Sequence, residues 1–320
     1  MRKTRPPKVI LRGVRGASFV LSEDTSPTSN GTVLALAPGA KGLGSPEYEV
    51  HVDDYPALDG GFVRSSRATR REIFLPIVMA APTRAELVYM RRKFISALNP
   101  KLGLVQLITA EVNRAGNYEP SRYVECYYAQ GMEGEEDEKG DLTWSKFGLV
   151  LRTTDPFFRD VNLTEVPFLR FENRVPFFKG TSAPFLGTGP DGKFLSSSGE
   201  FVEEVEVFNP GDIPVYPTWR LVGPMTGPLR LIRNAPGKVE EVLNISEDFF
   251  LEEGEIATLV TDPAQHSISS SSGNVLWSVL DPVPNFWTLE PGPNTVQIDG
   301  LNGVEPTSVS LNFRAGYVSM

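Results

Sequence analysis

The side chains best suited to acid–base or metal chemistry are scarce in this chain: His51 and His266 are its two histidines and Cys126 its one cysteine. His51 stands in "VHVDDYP" beside Asp53 and Asp54, which are metal-ligand residue types. Along a strand His51 and Asp53 would share one face and Asp54 the other, so the three do not converge, and a solvated strand end is the plainer reading. His266 stands in "TDPAQHSISSSSG" with Asp262 and several serines, the residue types of a nucleophilic triad. A triad needs the base within reach of the serine and a buried group to orient it, whereas this run reads as an exposed polar loop. The 40 acidic residues leave carboxylate pairs available for glycoside hydrolysis without singling one out. Neither a phosphate loop, a dinucleotide fingerprint nor a nucleophile elbow is present. The expectation is a protein without catalytic residues, cofactor or metal.

Residues that could bind rather than react are easier to find. Trp277 and Trp287, with Trp219 and Phe286, could stack on a sugar ring or could be core. The run "GMEGEEDEKGD" gathers Glu133, Glu135, Glu136, Asp137 and Glu138, either a contact surface or a solvated hairpin tip. A net charge of −9 and no long Lys/Arg cluster argue against specific nucleic-acid binding. The start, "MRKTRPPKVILRG", is basic, but its apolar run from Val9 breaks at Arg12, unlike a secretory signal. The apolar stretch "IFLPIVMAAP" is too short to cross a bilayer, so no membrane insertion is expected.

The elements that must position these residues are mostly strands. With 29 Gly and 27 Pro in 320 residues the chain should be mainly β and of two domains. Short strands and turns are predicted from Val9 to Gly44, and Ile73, Leu75 and Ile77 should share one face of a strand. Pro76 should put that strand at an edge or give it a bulge. Residues 83–98 read as one helix, with Thr83 and Glu86 spaced as a capping box and Leu87, Met90, Phe94, Ile95 and Leu98 as its apolar stripe. Val124, Cys126 and Tyr128, then Phe147, Leu149 and Leu151, predict a hairpin around the acidic run. Residues 159–200 are rich in Pro, Ser and Phe and, as a connecting segment, should pack along a domain surface or between the domains. Beyond them, period-two alternation and recurrent turn signals predict a β-sandwich over 201–320. Its first strand should follow the prolines of "FNPGDIPVYPTWRLVGP" and lie at an edge.

Three stretches in this order resemble one family, the distal tail proteins of long non-contractile-tailed bacteriophages. "FVRSSRATRREIFLPIVM" with its capped helix is similar to that family's strand before its single N-terminal helix. "LVLRTTDPFFRD" resembles the Asp-Pro-aromatic-aromatic that ends its N-terminal domain, here with Phe157 and Phe158 where many relatives carry Trp or Tyr. "NPGDIPVYPTWRLVGP" and "WTLEPGPNTVQI" resemble runs of its C-terminal domain.

The resemblance implies a structural virion protein of the tail tip, assembled in the host cytoplasm. Residues 1–158 would form a β-sandwich or split-barrel-like domain with one helix, closing into a homo-hexameric ring. Residues 201–320 would form a galectin-like antiparallel sandwich. Its partners would be its own copies, the tail tube protein and a tail-associated hub or fibre protein, with DNA passing through the ring. Two other readings stay open: a sandwich that binds host-wall glycans through Trp277 or Trp287, and a β-sandwich glycoside hydrolase.

Overall fold

The computed structural model describes residues 8–21, 31–56, 58–112, 118–133, 143–170, 203–234, 240–300, 302–303 and 307–320. They form two compact units, one of residues up to Asn162 together with Gly316–Met320, the other Leu163–Ala315.

In chain order the first unit contains β1 (Lys8–Arg12), β2 (Ser18–Leu21), β3 (Val33–Leu36), β4 (Tyr48–Asp54), β5 (Gly61–Ala68), β6 (Glu72–Ala80), α1 (Arg84–Ala97), β7 (Val105–Val112), β8 (Tyr118–Gln130), β9 (Trp144–Thr153) and β10 (Phe158–Asp160). Most join one antiparallel sheet in the order β2-β1-β7-β8-β9-β6-β3, and its two ends, β2 and β3, approach each other, so the sheet nearly closes into a barrel. Period-two alternation explains the interior: Ile73, Leu75, Ile77 and Met79 of β6 are fully buried, as are Leu149 and Leu151 of β9.

Strand β6 is not at an edge, contrary to the expectation from Pro76. It runs between β9 and β3 with unbroken register to β9. Pro76 is tolerated because its carbonyl accepts from Ala37, just past the end of β3 at Leu36. The nitrogen of a strand residue points to the same side as its carbonyl, so the missing N–H falls where the ladder has already ended.

Helix α1 begins with the expected capping box: Glu86 N donates to Thr83 Oγ1 at 3.3 Å and Thr83 N donates to Glu86 Oε2 at 3.2 Å. Leu87, Phe94 and Leu98 are buried, and Phe94 meets Phe19 of β2 edge-on at 4.9 Å. Ile95 does not join them. One residue turns a helix by about 100°, and that step carries Ile95 from Phe94's face to the solvent side, where it is 39% exposed.

The second unit contains β11 (Thr164–Arg170), β12 (Glu203–Asn209), β13 (Thr218–Val222), β14 (Met225–Thr226), β15 (Leu229–Asn234), β16 (Glu241–Ile245), β17 (Phe250–Leu251), β18 (Ile256–Val260), β19 (Ser267–Ser270), β20 (Gly292–Asp299), β21 (Asn302–Gly303) and β22 (Ser308–Phe313). Sheets ordered β11-β22-β13-β18-β19 and β12-β20-β15-β16 contribute to one core, which includes Trp219, Leu221, Leu231, Val296 and Leu311. It is an antiparallel sandwich, as the alternation predicts.

Strand β13 pairs with both β22 and β18, so it is central and not an edge. The prolines of its stretch lie outside it, and the turn before it is held by Asn209. That buried side chain accepts from Gly211 N at 3.0 Å and donates to the carbonyls of Ile213 and Leu289. Residues 164–170 pair with β22 and so belong to the sandwich, while 171–202, which carry most of the predicted phenylalanine-rich connection, lie outside the described residues. After β22 the chain returns to the first unit as β23 (Gly316–Tyr317), paired with β10.

Candidate assembly surfaces

Arg71 shows what the arginine–aliphatic and Asp-Pro-Phe-Phe stretches do in this chain. Its buried guanidinium donates to the carbonyls of Gly42 at 2.7 Å, Pro156 at 2.9 Å and Val318 at 2.8 Å, and also to that of Gly44. It lies over the ring of Phe158, which is fully buried. Burial lowers its pKa from the ordinary arginine value, and the carbonyl dipoles around it satisfy the donors that water would otherwise take. Asp155 accepts from Phe157 N at 3.1 Å and pairs with Arg159 at 2.6 Å, which shapes the turn. Both stretches therefore fasten the first unit together.

Strands β4 and β5 form a two-stranded sheet of their own. Alternation puts Tyr48, Val50, Val52 and Asp54 on one face, with Val63 opposite Val52, and the other face carries Glu49, His51 and Asp53 opposite Arg67, Ser65 and Phe62. Arg67 Nη2 meets Glu49 Oε2 at 2.6 Å, a contact that lowers the Glu49 pKa. On the apolar face Tyr48, Val50, Val52 and Val63 stay between 49% and 63% exposed. His51, Asp53 and Asp54 are all on this hairpin and do not converge; among the described residues no His/Cys/Asp/Glu group could hold a metal.

The root of the acidic loop is built around Glu133. Its carboxylate accepts from Gly131 N at 2.7 Å and from the Tyr128 hydroxyl at 3.0 Å, while that hydroxyl accepts from Met132 N at 3.1 Å. Its own backbone N–H and that of Gly131 hold the Glu133 carboxyl below the usual pKa, and burial pushes Tyr128 up. Gly131 has φ 101°, and a Cβ there would lie 1.8 Å from the Gly148 carbonyl, so only glycine fits. Glu135, Glu136, Asp137 and Glu138 lie outside the described residues. A shallow groove of about 570 Å³ adjoins Glu133 and is lined by Lys41, Glu72, Phe74 and Val150 among others.

In the second unit the two candidate tryptophans part company. Trp287 is buried in the core and its Nε1 donates to Leu231 O at 3.0 Å, so, contrary to the expectation of a stacking residue, it has no face free for a sugar. Trp277 is 38% exposed and stands edge-on to His266 at 5.3 Å, with Phe286 stacked on the same imidazole at 6.0 Å. Asp262 does not orient His266: it accepts from Ala264 N at 2.9 Å, capping its own turn, while His266 Nδ1 lies 3.0 Å from the Pro263 carbonyl. Cys126 is fully buried and its thiol pKa is pushed up to about 12, so it is neutral and shielded.

No family model and no curated protein matches the sequence. Solved structures do match in shape. The SPP1 Dit (gp 19.1) protein, of the hub adsorption apparatus in phages infecting Gram-positive bacteria, superposes with a TM-score of 0.59 at 13% identity, over 97% of this chain and 99% of its own. The fold is that of SPP1 Dit. Chains of the phage P2 baseplate in its activated conformation superpose with TM-scores of 0.51 and 0.52 at 10% identity, over 97% of this chain and 99% of theirs.

The Dit fold thus extends over both units. Within it, the surface that sequence reasoning missed is the β4–β5 hairpin. The signal was present as Tyr48, Val50 and Val52 alternating with Glu49, His51 and Asp53, a pattern that promises a covered face. Among the described residues no helix is long and apolar enough to cross a membrane.

Proposed function

We propose that this chain is a distal tail protein, a structural and non-enzymatic component of a phage tail tip. Its first unit assembles into a hexameric ring that joins the tail tube protein to a distal hub or fibre protein and leaves a channel for DNA. The observation that carries this reading is the superposition on SPP1 Dit over nearly the whole length of both chains. An acidic chain suits a channel that must pass DNA without gripping it. The acidic loop from Glu133 through Glu138 then contributes to a subunit or partner contact. Light scattering and negative-stain microscopy of the purified protein test the reading: rings of six copies are expected, and a strict monomer at all concentrations, with or without a tube protein, overturns it.

A second reading concerns the sandwich alone. The half-open Trp277 ring beside the exposed His266 supports stacking on a host-wall glycan. Titration with wall polysaccharide should then show binding that Trp277→Ala abolishes, and no binding by the intact protein ends that reading.

A further inference from the structure

Among the described residues, two apolar surfaces of the first unit are left uncovered, and they are of different kinds. One is the hairpin face of Tyr48, Val50, Val52 and Val63, ending in the exposed Asp54. The other is the outer side of α1, where Val88, Arg92 and Ile95 recur at helical spacing with Tyr89 beside them; Val88 is 40%, Tyr89 70% and Ile95 39% exposed. A two-stranded hairpin is at best marginally stable alone, so an extended one with an apolar face gains most by covering that face.

Charge says what covers it. The hairpin and its turn carry Glu49, Asp53, Asp54 and Asp59 against Arg64 and Arg67, a net negative element. The helix carries Arg84, Arg91, Arg92 and Lys93 against Glu86 alone, a net positive one. A second hairpin facing the first would set acid against acid, and a second helix facing α1 would set base against base. Hairpin against helix pairs opposite charges around two apolar centres, with Asp54 and Arg92 as the charged members of the two stripes.

We propose that the apolar face of the β4–β5 hairpin of one copy docks on the outer face of α1 of the next copy. Such a contact joins two different surfaces, so it leaves a free hairpin and a free helix at the ends of any open chain and is satisfied throughout only when a ring closes. The inference rests on the reading of the protein as a ring and names the contact that closes it.

Full-length Val63→Cys and Ile95→Cys variants, treated separately and mixed with a short bismaleimide, test it. The buried Cys126 remains as an unreactive background. Cross-linked dimers are expected in the mixture and not in either variant alone. Rings seen by light scattering without a mixed cross-link, or with hairpin-to-hairpin cross-links, overturn the docking mode and leave the ring standing. A protein that stays monomeric overturns both. Arg92→Glu should weaken assembly about tenfold, the effect of roughly one desolvated charge pair, and Asp54→Lys in the same chain should restore it. Loss of assembly without rescue, in a protein whose circular dichroism is unchanged, overturns the charge pairing and with it the proposed docking face.

Discussion

Trp219, Trp287 and Phe168 of the sandwich are buried within their own chain, whereas Tyr48, Tyr55 and Phe62 of the β4–β5 hairpin keep between 43% and 50% of their exposure. The residue types are alike, and so is the local geometry of antiparallel strands with alternating faces. What differs is the supply of a second layer. The sandwich provides two sheets whose inner faces meet, with Trp219 edge-on to Trp287 at 5.9 Å. The hairpin provides one layer of two strands. Aromatic and branched residues in the first setting stabilise the fold, and in the second they are available to another molecule.

The comparison fails first if the sandwich core is not the stronger of the two. Trp219→Ala should cost about 3–5 kcal/mol, the usual range for emptying a buried aromatic site. Urea denaturation followed by far-ultraviolet circular dichroism reads the loss. Trp219→Phe should cost clearly less, because the Trp219 Nε1 is buried without an acceptor among the described residues and its removal leaves nothing unpaired. Equal losses for the two variants would mean that ring volume is not what the site values.

The first unit has its own interior, and Arg71 tests it. Arg71→Ala leaves the carbonyls of Gly42, Gly44, Pro156 and Val318 without their shared donor and should cost about 3 kcal/mol. Arg71→Lys should rescue only part of this, since a single ammonium cannot reproduce the guanidinium fork. Full stability of the lysine variant would show that charge alone, and not the planar set of donors, holds the segments together.

Much of this contrast was legible in the sequence, and the illegible part has a common cause. Periodicity found the buried faces of β6, β8 and β9, and the spacing of Thr83 and Glu86 found the helix start, because both depend on residues close in sequence. The position of a strand within its sheet depends on partners far away. Pro76 was therefore misread as marking an edge, when it lies where β3 stops short of β6's full length. The prolines around β13 were misread likewise, when they flank a central strand. Trp287 and Trp277 are indistinguishable as letters; the Leu231 carbonyl that fixes one of them in the core comes from another strand. For the candidate surface, alternation in residues 48–54 showed that a face existed, and only the three-dimensional arrangement showed that nothing in the described chain covers it.

The hairpin substitutions give a smaller effect on the subunit than either core variant. Replacing Val52 and Val63 by Ser should change the unfolding free energy of the isolated subunit by no more than about 0.5 kcal/mol each, as expected of exposed positions. The same pair should reduce self-association measured by sedimentation. Subunit destabilisation as large as that of Trp219→Ala would erase the difference between the two regions, because the hairpin residues would then be acting as core.

The smallest effect is electrostatic and separates the hairpin from the acidic loop. Glu49 and Glu133 both have pKa values lowered from the ordinary 4.5, but by different donors: Arg67 for Glu49, and backbone N–H groups including that of Gly131 for Glu133. A carboxyl held below its unfolded value adds stability that is fully present above that value and fades as pH falls through the lowered folded value. Both carboxylates are therefore expected to titrate below 4.5 when followed by carbonyl chemical shifts, with the Gly131 amide shift tracking Glu133. Arg67→Ala should return Glu49 toward its ordinary value and leave Glu133 where it is. If both move, the two carboxylates share one electrostatic environment; if Glu49 does not move, its partner on the hairpin is not Arg67. The expected outcome, one moving and one fixed, keeps the charged face of the hairpin a local device. Its lock is then made within one two-stranded sheet, independent of whatever covers the apolar face on the other side.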